Sequence, residues 1–191
     1  MNQIRSKILT LEEMTTLYEE HLIKDFPSNE WKPLEQILKL MEEGNYKVYG
    51  FYEEETLRAY ALLCLIDTRV FLDFFAVADS DKRGKGYGSR VLKDLLQILQ
   101  EQGKELLILE AEAPERAETE EARITRNRRI QFYLGNQLCN SPVRGQVQGV
   151  EFHILYYSFS NGTKTGKELG EILSTFYRKL YSQGGWNVVC G

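Results

Sequence analysis

The sequence predicts a mixed α/β fold, in which a central sheet is flanked by helices. Apolar residues recur at helical spacing in some segments and form short, dense, strand-like runs in others. A strand, a loop, a helix and a second strand follow one another over residues 70–111, the order of a right-handed parallel crossover. The chain has 191 residues, of which 42% are hydrophobic and 27% are charged. These values are typical of a globular domain and exclude a disordered chain.

The N-terminal region predicts a strand followed by two helices. Residues 4–9 alternate weakly between apolar and polar side chains, which predicts the strand. Thr10 stands three residues before Glu13, a capping box that opens the first helix. Pro33 suits the first turn of the second helix, which we expect over residues 34–43.

The middle of the chain changes to a strand-rich pattern. Residues 46–52 and 56–66 predict a hairpin across a charged turn. The nearly apolar residues 70–77 predict a central strand, and the helix after the next loop leads to a strand at 106–111. The sheet is expected to be antiparallel at first and then to contain one parallel pair, formed by 70–77 and 105–111.

The C-terminal part predicts a charged helix over residues 118–134, a strand over 150–159 and a helix over 169–181. The apolar stripe of that last helix would pack on the core or on a second subunit of a homodimer. We expect one domain over residues 1–160, with a C-terminal helix and tail at 161–191 packed on or extending it.

Composition excludes several classes of function. The formal net charge is −4, so a global basic field for nucleic acid is absent. The longest apolar run, residues 59–66, is far shorter than the about 20 residues of a membrane-spanning helix. Three cysteines without a Cys-x-x-Cys motif suit the reducing cytoplasm. Two distant histidines, His21 and His153, predict neither a metal site nor a Ser-His-Asp triad.

The loop after the central strand carries the strongest chemical signal. Residues 83–88 read Arg-Gly-Lys-Gly-Tyr-Gly and precede an amphipathic helix that starts near Ser89. Glycines let consecutive amides converge on an anion, and the helix start adds its positive end. Lys82, Arg83 and Lys85 add charge, so the loop predicts a diphosphate cradle. The spacing fits neither a P-loop nor Gly-x-Gly-x-x-Gly. The alternative is an ordinary basic turn closed by glycines.

This segment resembles motif A of the GNAT superfamily of N-acetyltransferases. Residues 72–77 form the apolar strand, and Arg83, Gly86 and Gly88 match the family's [Gln/Arg]-x-x-Gly-x-[Gly/Ala] pattern. The order of elements agrees over about residues 1–160. The resemblance implies the GNAT fold and acetyl-CoA as the acetyl donor.

The resemblance also implies which residues hold acetyl-CoA. Backbone groups of Phe75 and Val77 would pair with the pantetheine arm, and the loop amides would hold the pyrophosphate. The cofactor-binding residues implied are Phe75, Ala76, Val77, Lys82, Arg83, Gly84, Lys85, Gly86, Tyr87, Gly88 and Ser89.

Three acidic residues and one tyrosine are the catalytic candidates. Phe132-Tyr133 resembles the Phe-Tyr of the family's motif B, which implies that Tyr133 protonates the departing thiolate. The alternative is a half-buried core tyrosine. Glu110 and Glu112, two residues apart on one strand, could accept the amine proton or bind a cationic substrate, or lie in solvent at the strand end. Asp73 is a third candidate.

The resulting hypothesis is direct transfer of an acetyl group from acetyl-CoA to a primary amine of a small molecule or peptide. The expected partners are therefore acetyl-CoA and an amine acceptor. Two alternatives stay open, namely a non-catalytic CoA or acyl-CoA-binding regulatory module and an unrelated nucleotide- or phosphate-binding domain. Arginines 123, 126, 128 and 129 either contact the 3′-phosphate of CoA or nucleic acid, or form a solvated helix face balanced by nearby glutamates.

Overall fold

The structure, a computed structural model, describes residues 4–78, 86–160, 162–181 and 183–190. The strands are β1 (Ile4–Ile8), β2 (Tyr46–Glu53), β3 (Thr56–Ile66), β4 (Arg69–Val77), β5 (Leu106–Glu112), β6 (Cys139–Val147), β7 (Val150–Ser158) and β8 (Trp186–Cys190). The helices are α1 (Leu11–Leu17), α2 (Ile23–Asp25), α3 (Leu34–Glu42), α4 (Tyr87–Glu101), α5 (Glu120–Gly135) and α6 (Gly166–Leu180). A π-helical segment (Tyr18–Leu22) joins α1 to α2, and short 3-10 turns lie at Ser28–Glu30 and Pro114–Arg116.

The residue contacts divide the chain into two compact units. Unit 1 consists of Met1–Leu65 and Leu72–Gln97, and unit 2 consists of Ile66–Phe71 and Ile98–Gly191. The expected limits at residue 160 stay a prediction, as does the parallel pairing of 70–77 with 105–111.

Unit 1 contains β1, β2, most of β3 and residues 72–77 of β4, in the order β1-β2-β3-β4. β1 pairs antiparallel with β2, and β2 pairs antiparallel with β3. The capping box opens α1 as expected, because Glu13 N–H donates to Thr10 Oγ1 at 3.3 Å and Thr10 N–H donates to Glu13 Oε2 at 3.0 Å. The core includes the fully buried side chains of Met14, Phe51 and Tyr60.

Unit 2 places its strands in the order β5-β7-β6-β8, with every pair antiparallel. The sequence predicted β5 and β7 but neither β6 nor β8. β6 contains Pro142 and Gly145, which usually signal a turn rather than a strand interior. Its register on β7 shifts between Asn140 and Arg144, so the strand includes the irregularity that proline requires.

The C-terminal helix starts earlier than the apolar stripe indicated. Thr165 caps α6 and forms a capping box with Glu168, so the helix begins at Gly166 rather than Leu169. The stripe is buried within unit 2, where α6 packs against β6 and β8. The buried positions of the stripe are Leu169, Ile172, Leu173, Phe176 and Leu180.

The mixed α/β prediction is confirmed, because strands and packed helices alternate along both units. None of the helices in the described residues combines the length and the apolar character needed to cross a bilayer. In the same part of the chain, no three His, Cys, Asp or Glu side chains are arranged to hold a metal ion.

Candidate active site

The described part of the predicted cradle begins at Gly86. Lys82, Arg83, Gly84 and Lys85 lie outside the described residues. Gly86 has φ +81°, a conformation that favours glycine, and nothing lies within 4 Å of the place where a Cβ would stand. The glycine is therefore required by backbone conformation rather than by lack of space.

Helix α4 begins at Tyr87, two residues before the expected start at Ser89. The carbonyl of Gly86 accepts a helical hydrogen bond from Arg90 N–H at 3.1 Å. The amides of Tyr87, Gly88 and Ser89 therefore lie in the first turn of α4, at the positive end of the helix dipole. Such a helix start favours a bound phosphate group.

The side chain of Tyr87 attaches this helix start to the β2–β3 hairpin. Its hydroxyl donates to Glu53 Oε2 at 3.3 Å, and Arg58 Nη2 lies 3.1 Å from the same oxygen. The Glu53 and Arg58 side chains are only 12% and 18% exposed. This contact was not predicted from the sequence, because a tyrosine beside glycines indicates no particular partner.

Strand β4 alternates between two environments. Phe74 and Ala76 are buried, whereas Phe75 and Val77 are half-buried. The strand therefore presents Phe75 and Val77 on the opposite face from Phe74 and Ala76, as regular alternation requires.

Asp73 has partners that remove it from the list of available bases. Lys32 Nζ lies 2.6 Å from Asp73 Oδ1, and the Tyr46 hydroxyl donates to Oδ2. The Lys32 and Asp73 side chains are only 8% and 3% exposed. Lys32 Nζ also lies 5.0 Å from the centre of the Phe74 ring. The pair ties the segment before α3 to β4.

Glu110 accepts a hydrogen bond from the hydroxyl of Tyr177 on α6. Burial raises the pKa of Tyr177 above its ordinary value, and the negative charge of Glu110 raises it further. The phenol therefore stays protonated at neutral pH and remains a donor. The sequence did not single out Tyr177, because its pairing with Glu110 spans 67 residues.

Glu112 is held by two arginines of α5. Arg126 Nη2 lies 3.0 Å from Glu112 Oε1, and Arg129 Nη1 lies 3.9 Å from Oε2. Arg123 pairs with Glu120 on the exposed helix surface. Three of the four arginines in the basic run therefore have acidic partners, which favours the interpretation of a balanced helix face.

Tyr133 lies on α5 and is 7% exposed. Burial raises its pKa to about 12, although the nearby Arg129 charge acts in the opposite direction. Its ring packs edge-on against Phe132, with the ring centroids 5.1 Å apart. Tyr133 is therefore a buried, neutral phenol at physiological pH.

The contact between His153 and Glu115 in unit 2 was not expected from the sequence. His153 Nε2 lies 2.7 Å from Glu115 Oε1. Among the described residues, Nδ1 of His153 is the buried side-chain nitrogen or oxygen that has no hydrogen-bond partner. Nε2 of His153 therefore contacts the carboxylate, while Nδ1 lies buried on the other side of the ring.

The acetyltransferase (GNAT) family model matches residues 11–120. No curated protein sequence matches the chain. A GNAT-family structure from Bacteroides thetaiotaomicron has a TM-score of 0.73 at 22% identity, covering 93% of this chain and 98% of that one. The ribosomal-protein-S18-alanine N-acetyltransferase from Escherichia coli has a TM-score of 0.58 at 16% identity, and the match covers 85% of this chain and 97% of that one.

The PaiA N-acetyltransferase from Thermoplasma acidophilum, solved in complex with coenzyme A, has a TM-score of 0.57 at 16% identity. The match covers 82% of this chain and 99% of that one. These structural matches show a shared fold, which agrees with the fold that the motif A resemblance implied. Because the family model matches more than half of the residues, the chain belongs to the GNAT family of acetyltransferases.

Proposed function

We propose that the protein is an acetyl-CoA-dependent N-acetyltransferase that transfers acetyl directly to a primary amine of a small molecule or peptide. The observation that carries this proposal is the family match over residues 11–120. That range contains β4, the glycine-rich loop, the start of α4 and both carboxylates of β5.

The residues at the start of α4 fit the phosphate-bearing end of acetyl-CoA. Gly86 with φ +81° and the first-turn amides of α4 form a backbone anion site. We assign the pyrophosphate to these amides and to residues 82–85, and the pantetheine arm to the backbone of Phe75 and Val77. Acetyl-CoA supplies the activated thioester, and the coenzyme A in the Thermoplasma relative supports this assignment.

Glu110 is the better general base of the two carboxylates on β5. Glu112 faces two guanidinium groups, and these ion pairs occupy both of its carboxylate oxygens. Glu110 accepts from a neutral phenol instead. We therefore assign removal of the amine proton to Glu110 and a supporting role, tying β5 to α5, to Glu112.

Tyr133 is the proposed general acid. A phenol with a pKa of about 12 is fully protonated at neutral pH and can give its proton to the sulfur as the C–S bond breaks. Its burial also excludes water, which would otherwise compete for the proton.

The test is release of free thiol from acetyl-CoA in the presence of a polyamine, a monoamine and a peptide with a free N-terminus. We expect amine-dependent release by the wild type. Tyr133→Phe should lower kcat about 100-fold because general acid catalysis is lost, with acetyl-CoA affinity unchanged. Tyr157→Phe, which removes a hydroxyl on β7, is the matched control and should retain full activity.

Binding of acetyl-CoA without thiol release for any amine would favour the non-catalytic regulatory module over the enzyme. Full activity in Tyr133→Phe would remove Tyr133 as the acid.

A cytoplasmic location is part of the same proposal. None of the three cysteines forms a disulfide, and two of them, Cys139 and Cys190, are exposed. Exposed thiols suit a reducing compartment.

A further inference from the structure

Helix α6 reaches the carboxylate that we assign as the base. Tyr177, on the fourth turn of α6, donates its hydroxyl hydrogen to Oε1 of Glu110. α6 lies beyond residues 11–120, the range that the family model matches. The residue that holds Glu110 therefore comes from a part of the chain for which the family match implies no role.

The packing around Tyr177 fixes the position of its hydroxyl. Its ring is 0% exposed and makes edge contacts with Phe71, Tyr181 and Trp186, at centroid distances of 6.4, 5.6 and 5.6 Å. On β6, a Cβ at Gly145 would overlap the Tyr177 hydroxyl and would lie 3.1 Å from Ile154 Cδ1. The glycine in β6 thus leaves the space that the hydroxyl occupies.

The side chains described around this pair are apolar, phenolic or charge-compensated. Ile154, the residue opposite Glu110 on β7, is apolar. Tyr181 lies beside Tyr177 on the α6 side, with the ring centroids 5.6 Å apart. The next acidic side chain on β5, Glu112, is compensated by Arg126 and Arg129 of α5. A hydrogen bond donated to a carboxylate stabilises its ionised form, which is the form that accepts a proton.

We propose that Tyr177 is a positioning residue that keeps Glu110 ionised and oriented to accept the amine proton. This inference rests on the proposed function. In the step it serves, the N–C bond forms between the acceptor amine and the acetyl carbon while the C–S bond breaks. The amine proton passes to Glu110, and the proton of Tyr133 passes to the departing sulfur, so atoms and charge balance.

The experiment is the pH profile of kcat/KM for the wild type, Tyr177→Phe and the control Tyr157→Phe. Loss of the donor should move the acid limb of the profile to higher pH by about one unit, because Glu110 then protonates more readily. It should also lower kcat at neutral pH about tenfold, with the KM for acetyl-CoA unchanged. A tyrosine with a merely structural role would lower the melting temperature and leave the acid limb in place.

A second variant removes the contact without removing the hydroxyl. Gly145→Ala should displace the Tyr177 hydroxyl and reproduce the shift of the acid limb. In the double variant Gly145→Ala/Tyr177→Phe the overlapping hydroxyl is absent, so its profile should match that of Tyr177→Phe alone.

An unmoved acid limb in Tyr177→Phe and Gly145→Ala, with an active wild type, would overturn this inference and leave the proposed function standing. A wild type that releases no thiol with any amine would overturn both.

Discussion

Lys32 and Asp73 form the most deeply buried ion pair described in unit 1. Their side chains are 8% and 3% exposed, and the carboxylate also accepts a hydrogen bond from Tyr46. The backbone carbonyl of Lys32 in turn accepts from the Tyr18 hydroxyl at 2.9 Å. Such a network holds the segment before α3 in one position, because each buried charge needs its partner.

Removing one partner of this pair should cost far more than removing both. Lys32→Met leaves the Asp73 carboxylate buried without its cation, so we expect a loss of about 3–5 kcal/mol in the free energy of unfolding. Lys32→Met/Asp73→Asn should recover most of that loss. Urea denaturation measures the free energies of unfolding, and a loss below about 1 kcal/mol in the single variant would contradict the buried pair.

The raised pKa of Tyr133 predicts a decline in stability at high pH. Between pH 10 and 12 an unfolded tyrosine loses its proton, whereas the folded side chain keeps it until a pH of about 12. The folded state then binds more protons than the unfolded state, so the free energy of unfolding falls as pH rises, by up to about 2.7 kcal/mol. The free energy of unfolding, measured from pH 8 to 11, should fall less steeply with pH in Tyr133→Phe than in the wild type. Equal slopes would contradict the burial of the phenol.

The partners of the candidate carboxylates could not be predicted from the sequence. The Asp73–Lys32 contact spans 41 residues, and the Glu112–Arg126 contact spans 14. No local pattern connects such residues. The sequence therefore indicated the candidate acids but not which of them form ion pairs with basic side chains. The requirement for glycine at position 86, in contrast, followed from the motif, because loop geometry is local.

At the scale of elements, the stability of α6 depends on the capping hydrogen bonds of its first turn. Glu168 N–H donates to Thr165 Oγ1 at 3.3 Å, and Thr165 N–H donates to Glu168 Oε2 at 2.9 Å. This reciprocal pair satisfies two amides at the helix start that would otherwise lack acceptors.

Thr165→Ala should therefore lower the free energy of unfolding by about 1 kcal/mol. Thr175→Ala is the matched control on the same helix, since the Thr175 hydroxyl only donates to the carbonyl of Glu171 at 3.0 Å within the helix. We expect the control to change stability by less than about 0.5 kcal/mol. Equal losses in the two variants, measured by urea denaturation, would contradict the capping role.

Elements with strong local signals were predicted, and elements without them were not. The capping box of α1 and the dense apolar runs of β3 and β4 indicated their structures directly. β8 is only five residues long, follows Gly184 and Gly185, and forms by pairing with β6. An edge strand stabilised by a partner distant in sequence carries little local pattern of its own.

At the scale of the whole chain, the two units carry different parts of the proposed chemistry. Unit 1 contains those residues of the proposed acetyl-CoA site that the structure describes, from Phe75 to Val77 and from Gly86 to Ser89. Unit 2 contains Glu110, Tyr133 and Tyr177. We therefore expect substitutions in the first set to change the affinity for acetyl-CoA, and substitutions in the second set to change turnover.

Calorimetric titration with acetyl-CoA, and separately with ATP, tests the central claim most directly. We expect the wild type to bind acetyl-CoA and to bind ATP far more weakly. Gly86→Ala places alanine at φ +81° and should weaken acetyl-CoA binding at least about tenfold, whereas Gly103→Ala, at φ +70° beyond the other end of α4, should leave it unchanged. Tight binding of ATP without binding of acetyl-CoA, or equal affinities in the two glycine variants, would contradict the account.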